Sequence, residues 1–445
     1  MSKVEKLTNI EKKEIKRIPQ DFPSFVDYCN KNNPDIYIFG ADIAGKVIQH
    51  ILIINNIAVK AFFDNNKNKC NTIIDEVEVL QASKKLDKIS QNSIILIAST
   101  YIHDIINQIE SVGIYNWIPI SNIIESNPEI NYREIIKGDL QHNHSGGEFT
   151  KDFVDFAVSN MVNSQKKYLD TSLLFIRSVD LILTEKCSLK CKDCSNLMQY
   201  YEKPINIQGE ELIEDLEDIC TIADEINEIR IIGGEPLINK NFDKISLKAA
   251  SYENVNKVVI YTNGTICPPD EKIASLKNDK IFVFITTYGS LSKNENKLAL
   301  MLEKHGIQYN NQPAYGWTEC GGIETYNREP KLNLEIFKNC CAKHFTTMTD
   351  GRLFRCPFSA NIERLAAIPD NPSDYVSVRG YSKNPQNFPD LKKKVRWFLR
   401  DKALIAACDS CAGRTYGDPE ITPGIQVIKP IEYKKFNRLE VEIIS

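Results

Sequence analysis

No apolar run in this chain of 445 residues approaches the roughly 18 residues that a bilayer-spanning helix needs, the longest candidates being SIILIAS and QHILII. An excess of basic charge is missing as well. Fifty-five Lys and Arg against 59 Asp and Glu leave a net charge of -4, so no overall positive field gathers nucleic acid or anionic lipid. The opening MSKVEKLTNIEKKEIKRIPQ lacks the apolar core of a signal peptide and reads as a polar Lys/Glu helical segment. These absences argue against a membrane, a nucleic-acid partner and secretion, and the expectation is a cytoplasmic protein.

What is present is a globular balance, 42% hydrophobic and 26% charged, over a length that suits about two or three domains. Thirteen cysteines stand out. In a reducing compartment thiols are seldom structural disulfides, and clustered ones are more often metal ligands or catalysts. Cys29, Cys70, Cys220, Cys267, Cys320 and Cys340 stand alone or are ambiguously placed, while the other seven fall into two groups.

From Asp35, DIYIFGADIAGKVIQHILIINNIAVKAFFDNN reads as strand, turn, amphipathic helix and second strand, and SIILIAST and IPI add further strands to about residue 125. Such alternation predicts a parallel, Rossmann-like sheet. Gly40 and Gly45 fit the outer positions of a GxGxxG phosphate turn, and Asp64 follows at the spacing of a ribose-binding acid. The middle glycine is replaced by Asp42, whose carboxylate would face a pyrophosphate. The pattern therefore reads either as a nucleotide turn or as a doubly wound domain that holds no nucleotide. Residues 126–172 read as a linker that becomes a helix, with His142 and His144 solvated in a Gly-flanked loop.

Strand signals resume with SVDLILT, EIRIIGG, KVVIYTNG, KIFVFITT and GIQYNN, separated by helical stretches such as GEELIEDLEDICTIADEIN. This predicts a parallel α/β layout, open or barrel-like, whose ligands sit at the C-terminal strand ends. Directly after the first strand comes CSLKCKDC, which places Cys187, Cys191 and Cys194 at gaps of three and two. A closed zinc site normally takes four protein ligands, and no histidine lies nearby. Closely spaced thiolates are the usual ligands of iron-sulfur clusters, and a [4Fe-4S] cluster on three of them would keep one iron open.

The CxxxCxxC loop resembles the signature of the radical S-adenosylmethionine (SAM) enzymes. The resemblance implies a partial (β/α)6 barrel, with SAM chelating the open iron through its amino and carboxylate groups. It further implies one-electron cleavage of SAM to methionine and a 5′-deoxyadenosyl radical, which abstracts hydrogen from an unactivated C–H bond. Gly233, Gly234, Glu235 and Pro236 form a GGEP sequence similar to the family's motif that receives the methionyl amine. The glycines would let backbone approach the ligand, and Glu235 would accept from an ammonium. Thr262 and Asn263 in YTNG, and Thr286 in FVFIT, match positions that meet polar groups of SAM in the family. Asp193 departs from the pattern, standing where the family carries an aromatic or apolar residue beside the adenine.

Beyond the barrel pattern lie NCCAKHFTTMTDGRLFRCP and CDSCAGR. Cys341, Gly351 and Cys356 give C-x9-G-x4-C, and Cys408 with Cys411 gives C-x2-C. Four thiolates could close a zinc site or fully ligate an iron-sulfur cluster, and spacing alone does not separate the two. The pattern resembles the auxiliary-cluster domain called SPASM or, shortened to one cluster, twitch, which implies one auxiliary [4Fe-4S] cluster and leaves Cys340 as an alternative to Cys341. In similar twitch-type enzymes such a cluster accepts an electron from a substrate radical, which permits oxidation of an alcohol.

The resulting expectation is an α/β protein in six parts: an N-terminal helical segment 1–30, a Rossmann-like domain 31–125, the linker and helix 126–172, a partial barrel 173–325, a small twitch-like domain 326–415 and a tail 416–445. The N-terminal unit also looks like small domains fused to polysaccharide and nucleotide-sugar tailoring enzymes. The expected substrate is therefore a small carbohydrate, aminocyclitol or nucleotide sugar, undergoing oxidation, epimerisation or dehydration with a flavodoxin- or ferredoxin-type reductant. A peptide- or protein-modifying radical enzyme and a non-catalytic iron-sulfur scaffold or sensor are the alternatives. Tyr288, Arg352, Arg355, Arg414 and His344 are polar residues near the motifs, read mainly as structural or cluster-supporting groups. Trp317 reads as a cap on the barrel mouth or as ordinary core, and the tail GIQVIKPIEYKKFNRLEVEIIS as a weak candidate strand.

Overall fold

A computed structural model of the chain describes residues 18–19, 21–67, 69–136, 153–170, 172–415 and 418–437. His142 and His144 lie outside the described residues. Two compact units result, one running to residue 136 together with the helix Phe153–Leu169, the other beginning at residue 170.

In the first unit, short apolar runs form β1 (Ile36–Phe39), β2 (Ala61–Asp64), β3 (Ile73–Ile74), β4 (Val77–Gln81), β5 (Ile94–Ile97) and β6 (Trp117–Pro119). Their order in the sheet is β3-β4-β2-β1-β5-β6, parallel except for β3 on β4. Without that hairpin strand the order is the 3-2-1-4-5 of a doubly wound sheet. Central strands such as β5 are buried throughout because helices cover both faces. The helix Phe153–Leu169 packs here: Val154, Val158 and Val162 join the core, and the Gln165 amide donates to Ile97 O at 2.7 Å while its oxygen accepts the Ser121 N–H at 3.0 Å.

The turn at Gly40 and Gly45, read either as a nucleotide turn or as plain doubly wound backbone, is closely packed by the chain itself. Gly40 has φ +116°, and a Cβ there would meet Ala98 O at 2.3 Å. Asp42 caps the helix Ile43–Ile54 and pairs with Lys69 at 2.7 Å, while Asp64 accepts the N–H groups of Ala41 at 2.9 Å and Asn66 at 2.8 Å. The acid at the spacing of a ribose ligand is thus engaged by the backbone of the glycine turn itself.

The second unit holds one sheet, built from β7 (Phe175–Ile176), β8 (Val179–Ile182), β9 (Glu225–Ile232), β10 (Val255–Thr262), β11 (Ile281–Thr287), β12 (Gln308–Pro313), β13 (Thr346–Thr349), β14 (Arg352–Phe354) and β15 (Tyr375–Ser377). Its order is β12-β11-β10-β9-β8-β13-β14-β15, with β7 on β9. The sheet is mixed α/β and open. Strands β8 to β12 run parallel as the sequence predicts, with helices between them; the sixth parallel strand, β13, lies beside β8 rather than beyond β12. Strands β14 and β15 then continue the same open sheet in antiparallel fashion.

The helix Gly209–Ile222 shows how sequence fixes this packing. Leu212, Leu216 and Ile219 form a buried stripe at helical spacing, and Glu210 with Glu211 complement the positive end of the helix. Asp215 accepts the Gly351 N–H at 2.9 Å and Asp218 accepts those of Gly380 and Ser382 at 2.9 and 2.8 Å, which ties the turns after β13 and β15 to this helix.

Candidate active site at the cysteine loops

The ends of β8 and β9 meet through backbone. Gly234 N donates to Thr184 O and Glu235 N to Lys186 O, both at 2.9 Å. Gly233 has φ +140°, and a Cβ there would lie 2.3 Å from Thr184 O; one on Gly234 would lie 2.3 Å from Lys186 O and 2.8 Å from the Cys187 Cβ. Only glycine allows strand β9 to approach so closely, and this contact sets where the cysteine loop begins.

Glu235 is fully buried, and its carboxylate accepts hydrogen bonds from Thr262 Oγ1 at 2.9 Å, Asn263 N at 2.8 Å and Leu237 N at 3.2 Å. It therefore caps the short turn Pro236–Ile238 and fastens the end of β10. Burial pushes this carboxyl up to about 7, with the three donors pulling the other way. Asn263 reaches the first cysteine: its amide lies 3.7 Å from Cys187 Sγ and donates to Ser188 Oγ at 3.2 Å. Thr286 sits near the end of β11 in register with Gln312, half-buried and apart from this network.

Turns carry the loop from Cys187 to Cys194, with Cys194 N donating to Cys191 O at 3.2 Å and Leu197 N to Cys194 O at 3.0 Å. Burial raises all three thiols, Cys194 to about 11, and Cys187 and Cys194 are raised further by their sulfur neighbours. Thiols gathered in this way ionise only where a cation compensates them, which is what a metal centre supplies. Among the described residues, no three His, Cys, Asp or Glu are close enough to share one metal ion. The ligands of a cluster each bind a different iron.

Tyr288 faces this set: burial raises its hydroxyl pKa, and the three thiols and Glu235 raise it further. Its ring meets Trp317 edge to face at 5.8 Å. Asp193, on the loop itself, is 9% exposed and is raised by burial; its carbonyl accepts from the Cys320 thiol at 3.6 Å. Sequence reasoning missed the tail. Residues 421–433 lie along the cysteine loop, Lys192 N donating to Ile425 O at 2.7 Å, Val427 N to Lys190 O at 2.8 Å and Ile431 N to Gln199 O at 2.9 Å.

The second group assembles from Cys340, Cys356, Cys408 and Cys411. Burial raises Cys340 and Cys411 to about 12, and each of them is raised further by the Cys356 sulfur, as is Cys408. Cys356 caps the helix Pro357–Arg364, where its sulfur accepts the Ser359 N–H at 3.4 Å. Cys341, the expected first ligand, answers instead to Arg414 and Asp418, and its N–H donates to Arg414 O at 2.9 Å. Cys340 is extended at the end of the helix Pro330–Asn339 and Cys341 opens the turn that follows, so the two neighbouring thiols meet different surroundings.

The remaining polar candidates hold structure. Arg355 is buried and donates to Phe398 O at 2.6 Å and Lys402 O at 3.1 Å; Arg352 pairs with Glu363 at 3.3 Å and lies over the Tyr375 ring. The carbonyl of His344 accepts from Ser178 Oγ at 3.4 Å. Arg414 sits among Cys320, Cys341, Cys340 and Cys411, whose sulfurs raise its pKa against the opposing effect of burial.

Residues 181–293, which carry β8 to β11 with the first cysteine loop, GGEP, YTNG and Thr286, match the model of the Radical SAM superfamily. This segment is a radical SAM domain, and the family implies a [4Fe-4S] cluster and SAM. The chain is 29% identical over 133 residues to a GTP 3',8-cyclase of Clostridium acetobutylicum, a match covering 26% of this chain and 41% of that protein. A GTP 3',8-cyclase of Syntrophomonas wolfei is 29% identical over 157 residues, covering 30% and 46%. The chain thus spans less than half the length of these relatives. Among solved structures, BtrN in complex with AdoMet and 2-DOIA is similar at a TM-score of 0.35 and 14% identity, covering 57% of this chain and 98% of that one. Native anSMEcpe with bound AdoMet follows at a TM-score of 0.33 and 11% identity, covering 51% and 92%. No helix among the described residues is long and apolar enough to cross a membrane.

Proposed function

We propose that this chain is a radical SAM oxidoreductase in which Cys187, Cys191 and Cys194 hold the SAM-binding [4Fe-4S] cluster, and Cys340, Cys356, Cys408 and Cys411 hold one auxiliary [4Fe-4S] cluster. The observation that carries this reading is the occurrence, in loops around one sheet, of a three-thiol loop with Cys191 buried and Cys187 and Cys194 half-buried, and a separate group of four half-buried thiols. When bound, the first cluster with SAM supplies the radical that removes hydrogen from a C–H bond, and the second supplies an acceptor for one electron.

The chain's own residues prepare that chemistry. Gly233 and Gly234 bring the β9 backbone against the start of the cysteine loop, which sets the end of β9 beside the cysteines, where the methionyl end of SAM would lie. Glu235 and Pro236 fix that turn, and Glu235 retains one of about four lone-pair directions for an ammonium. Thr262, Asn263 and Thr286 line the ends of β10 and β11, where ribose and carboxylate oxygens need donors. Tyr288, held in its neutral form, stands as a wall and hydroxyl donor opposite the thiols.

A closed four-thiol group suits electron transfer better than substrate ligation, which favours two-electron oxidation of an alcohol over redox-neutral epimerisation or dehydration. The substrate class proposed is a sugar, aminocyclitol or nucleotide sugar, resting on fold-level analogy for the first unit. A flavodoxin- or ferredoxin-type protein would supply the initiating electron, and a cytoplasmic location suits thirteen cysteines that are all unbridged. Anaerobic reconstitution with iron and sulfide, Mössbauer spectra and a dithionite-driven 5′-deoxyadenosine assay with nucleotide sugars and peptides provide the test. About eight irons per chain and sugar-dependent deoxyadenosine are expected. Absence of SAM cleavage would overturn the radical reading; about four irons with one zinc would remove the electron acceptor; stimulation by peptide alone would move the substrate class.

A further inference from the structure

Cys191 has the shorter of the two side-chain amide contacts made to the thiols of the first loop. Cys187 accepts the N–H of Leu189, two residues along, at 3.4 Å, and is met by the Asn263 amide from the end of β10 at the longer distance of 3.7 Å. Cys191 accepts the side-chain amide of Gln426 at 3.2 Å, from a residue 235 positions away. The two residues are also partners in an isolated antiparallel β-bridge. Around it, the backbone bonds from Lys192 N to Ile425 O and from Val427 N to Lys190 O close the pairing on both sides.

The amide of Gln426 is held by a further pair of bonds. Its oxygen accepts the Lys190 N–H at 2.6 Å, and its nitrogen donates to Gly424 O at 2.7 Å as well as to the sulfur. These fix the amide's orientation, so that an N–H, and not the oxygen, faces Cys191. Further along, the Tyr433 ring meets Tyr200 edge to face at 5.6 Å, and Ile421 N donates to Trp317 O at 2.8 Å, which anchors the segment at both ends.

We infer that Gln426 is a positioning residue for the first cluster: it fixes Cys191 and, by donating an N–H to its sulfur, raises the cluster's reduction potential. The physical reason is charge. A reduced cluster carries one more electron, part of it on the cysteine sulfurs, and a donor to sulfur stabilises that form over the oxidised one. The inference rests on the reading that Cys187, Cys191 and Cys194 hold a cluster.

EPR-monitored redox titration of the reconstituted full-length protein tests it, using Gln426→Leu, Gln426→Glu and Ile425→Ala. Gln426→Glu keeps an acceptor for Lys190 N but has no donor for the sulfur and adds negative charge. Its potential is expected to shift to more negative values than that of Gln426→Leu, and both to lie below the parent. Ile425→Ala alters a half-exposed side chain on the same segment and keeps the carbonyl that Lys192 uses, so it should titrate with the parent. Should Gln426→Leu fail to take up iron, Gln426→Glu carries the measurement. A Gln426→Glu potential equal to the parent's, or an equal shift in Ile425→Ala, overturns the inference while leaving the cluster assignment intact. A parent protein that forms no SAM-responsive cluster defeats the assignment itself.

Discussion

Arg364 and Glu185 form an ion pair at 2.6 Å, each less than a tenth exposed. Glu185 lies two residues before Cys187, and Arg364 closes the helix that Cys356 caps, so one buried bond ties the two cysteine regions together. Neither charge is left unshared: Glu185 also accepts the Ile205 N–H at 3.0 Å, and Arg364 reaches Thr349 at 2.9 Å and Asp350 at 2.6 Å.

Arg364→Met should therefore destabilise the second unit by about 3–5 kcal/mol, because Glu185 would remain buried without its partner. Adding Glu185→Gln should recover much of that loss. Anaerobic urea unfolding of the single and double variants measures both, and a cost below about 1 kcal/mol for Arg364→Met would show that the pair bears little of the load.

Cys340→Ala should lower the reconstituted iron content from about eight to about four per chain, whereas Cys341→Ala should leave it near eight. The opposite pattern would restore Cys341 as the ligand.

Glu235 gives the apo-protein a particular pH response. Its folded pKa of about 7 lies above the ordinary 4.5, so between those values the folded chain holds a proton that the unfolded chain has released. Stability falls as pH rises through that window, by at most about 3 kcal/mol from this group. Gln cannot titrate, and Glu235→Gln should flatten the slope between pH 4.5 and 7 in anaerobic urea unfolding. Equal slopes in the two proteins would rule out this carboxyl as the source.

Gly234→Ala places a methyl group 2.3 Å from Lys186 O, a contact with backbone that no rotamer can relieve. The loop start must shift, and the expected outcome is loss of the first cluster's share of iron together with SAM cleavage, while the second cluster loads normally. Iron counts and Mössbauer spectra of the two variants, Gly234→Ala and Cys340→Ala, should then be complementary.

Much of the first site was legible because its features are local. Cys187 follows a short apolar strand, and the glycines of GGEP and the Thr-Asn pair of YTNG fall at ends of strands that the period-two and apolar patterns mark. Strands β13 to β15 were not legible, since TTMT, RLF and YVS are too short and mixed to display a period. The choice between Cys340 and Cys341 depends on which groups each thiol meets in the fold, which spacing does not encode. Gln426 was invisible for a different reason: nothing local distinguishes a glutamine that meets a sulfur 235 residues away.

Strand β13 beside β8 also bears on how the molecule can vary. Cys187 comes five residues after β8 and Cys356 two after β14, and the intervening β8–β13–β14 ladder is continuous. The loop that holds Cys187 and the turn that holds Cys356 thus leave strands of one ladder, so the distance between their starting points follows strand register. Loops at the strand ends can then vary in sequence and length while the strand frame beneath them keeps its spacing.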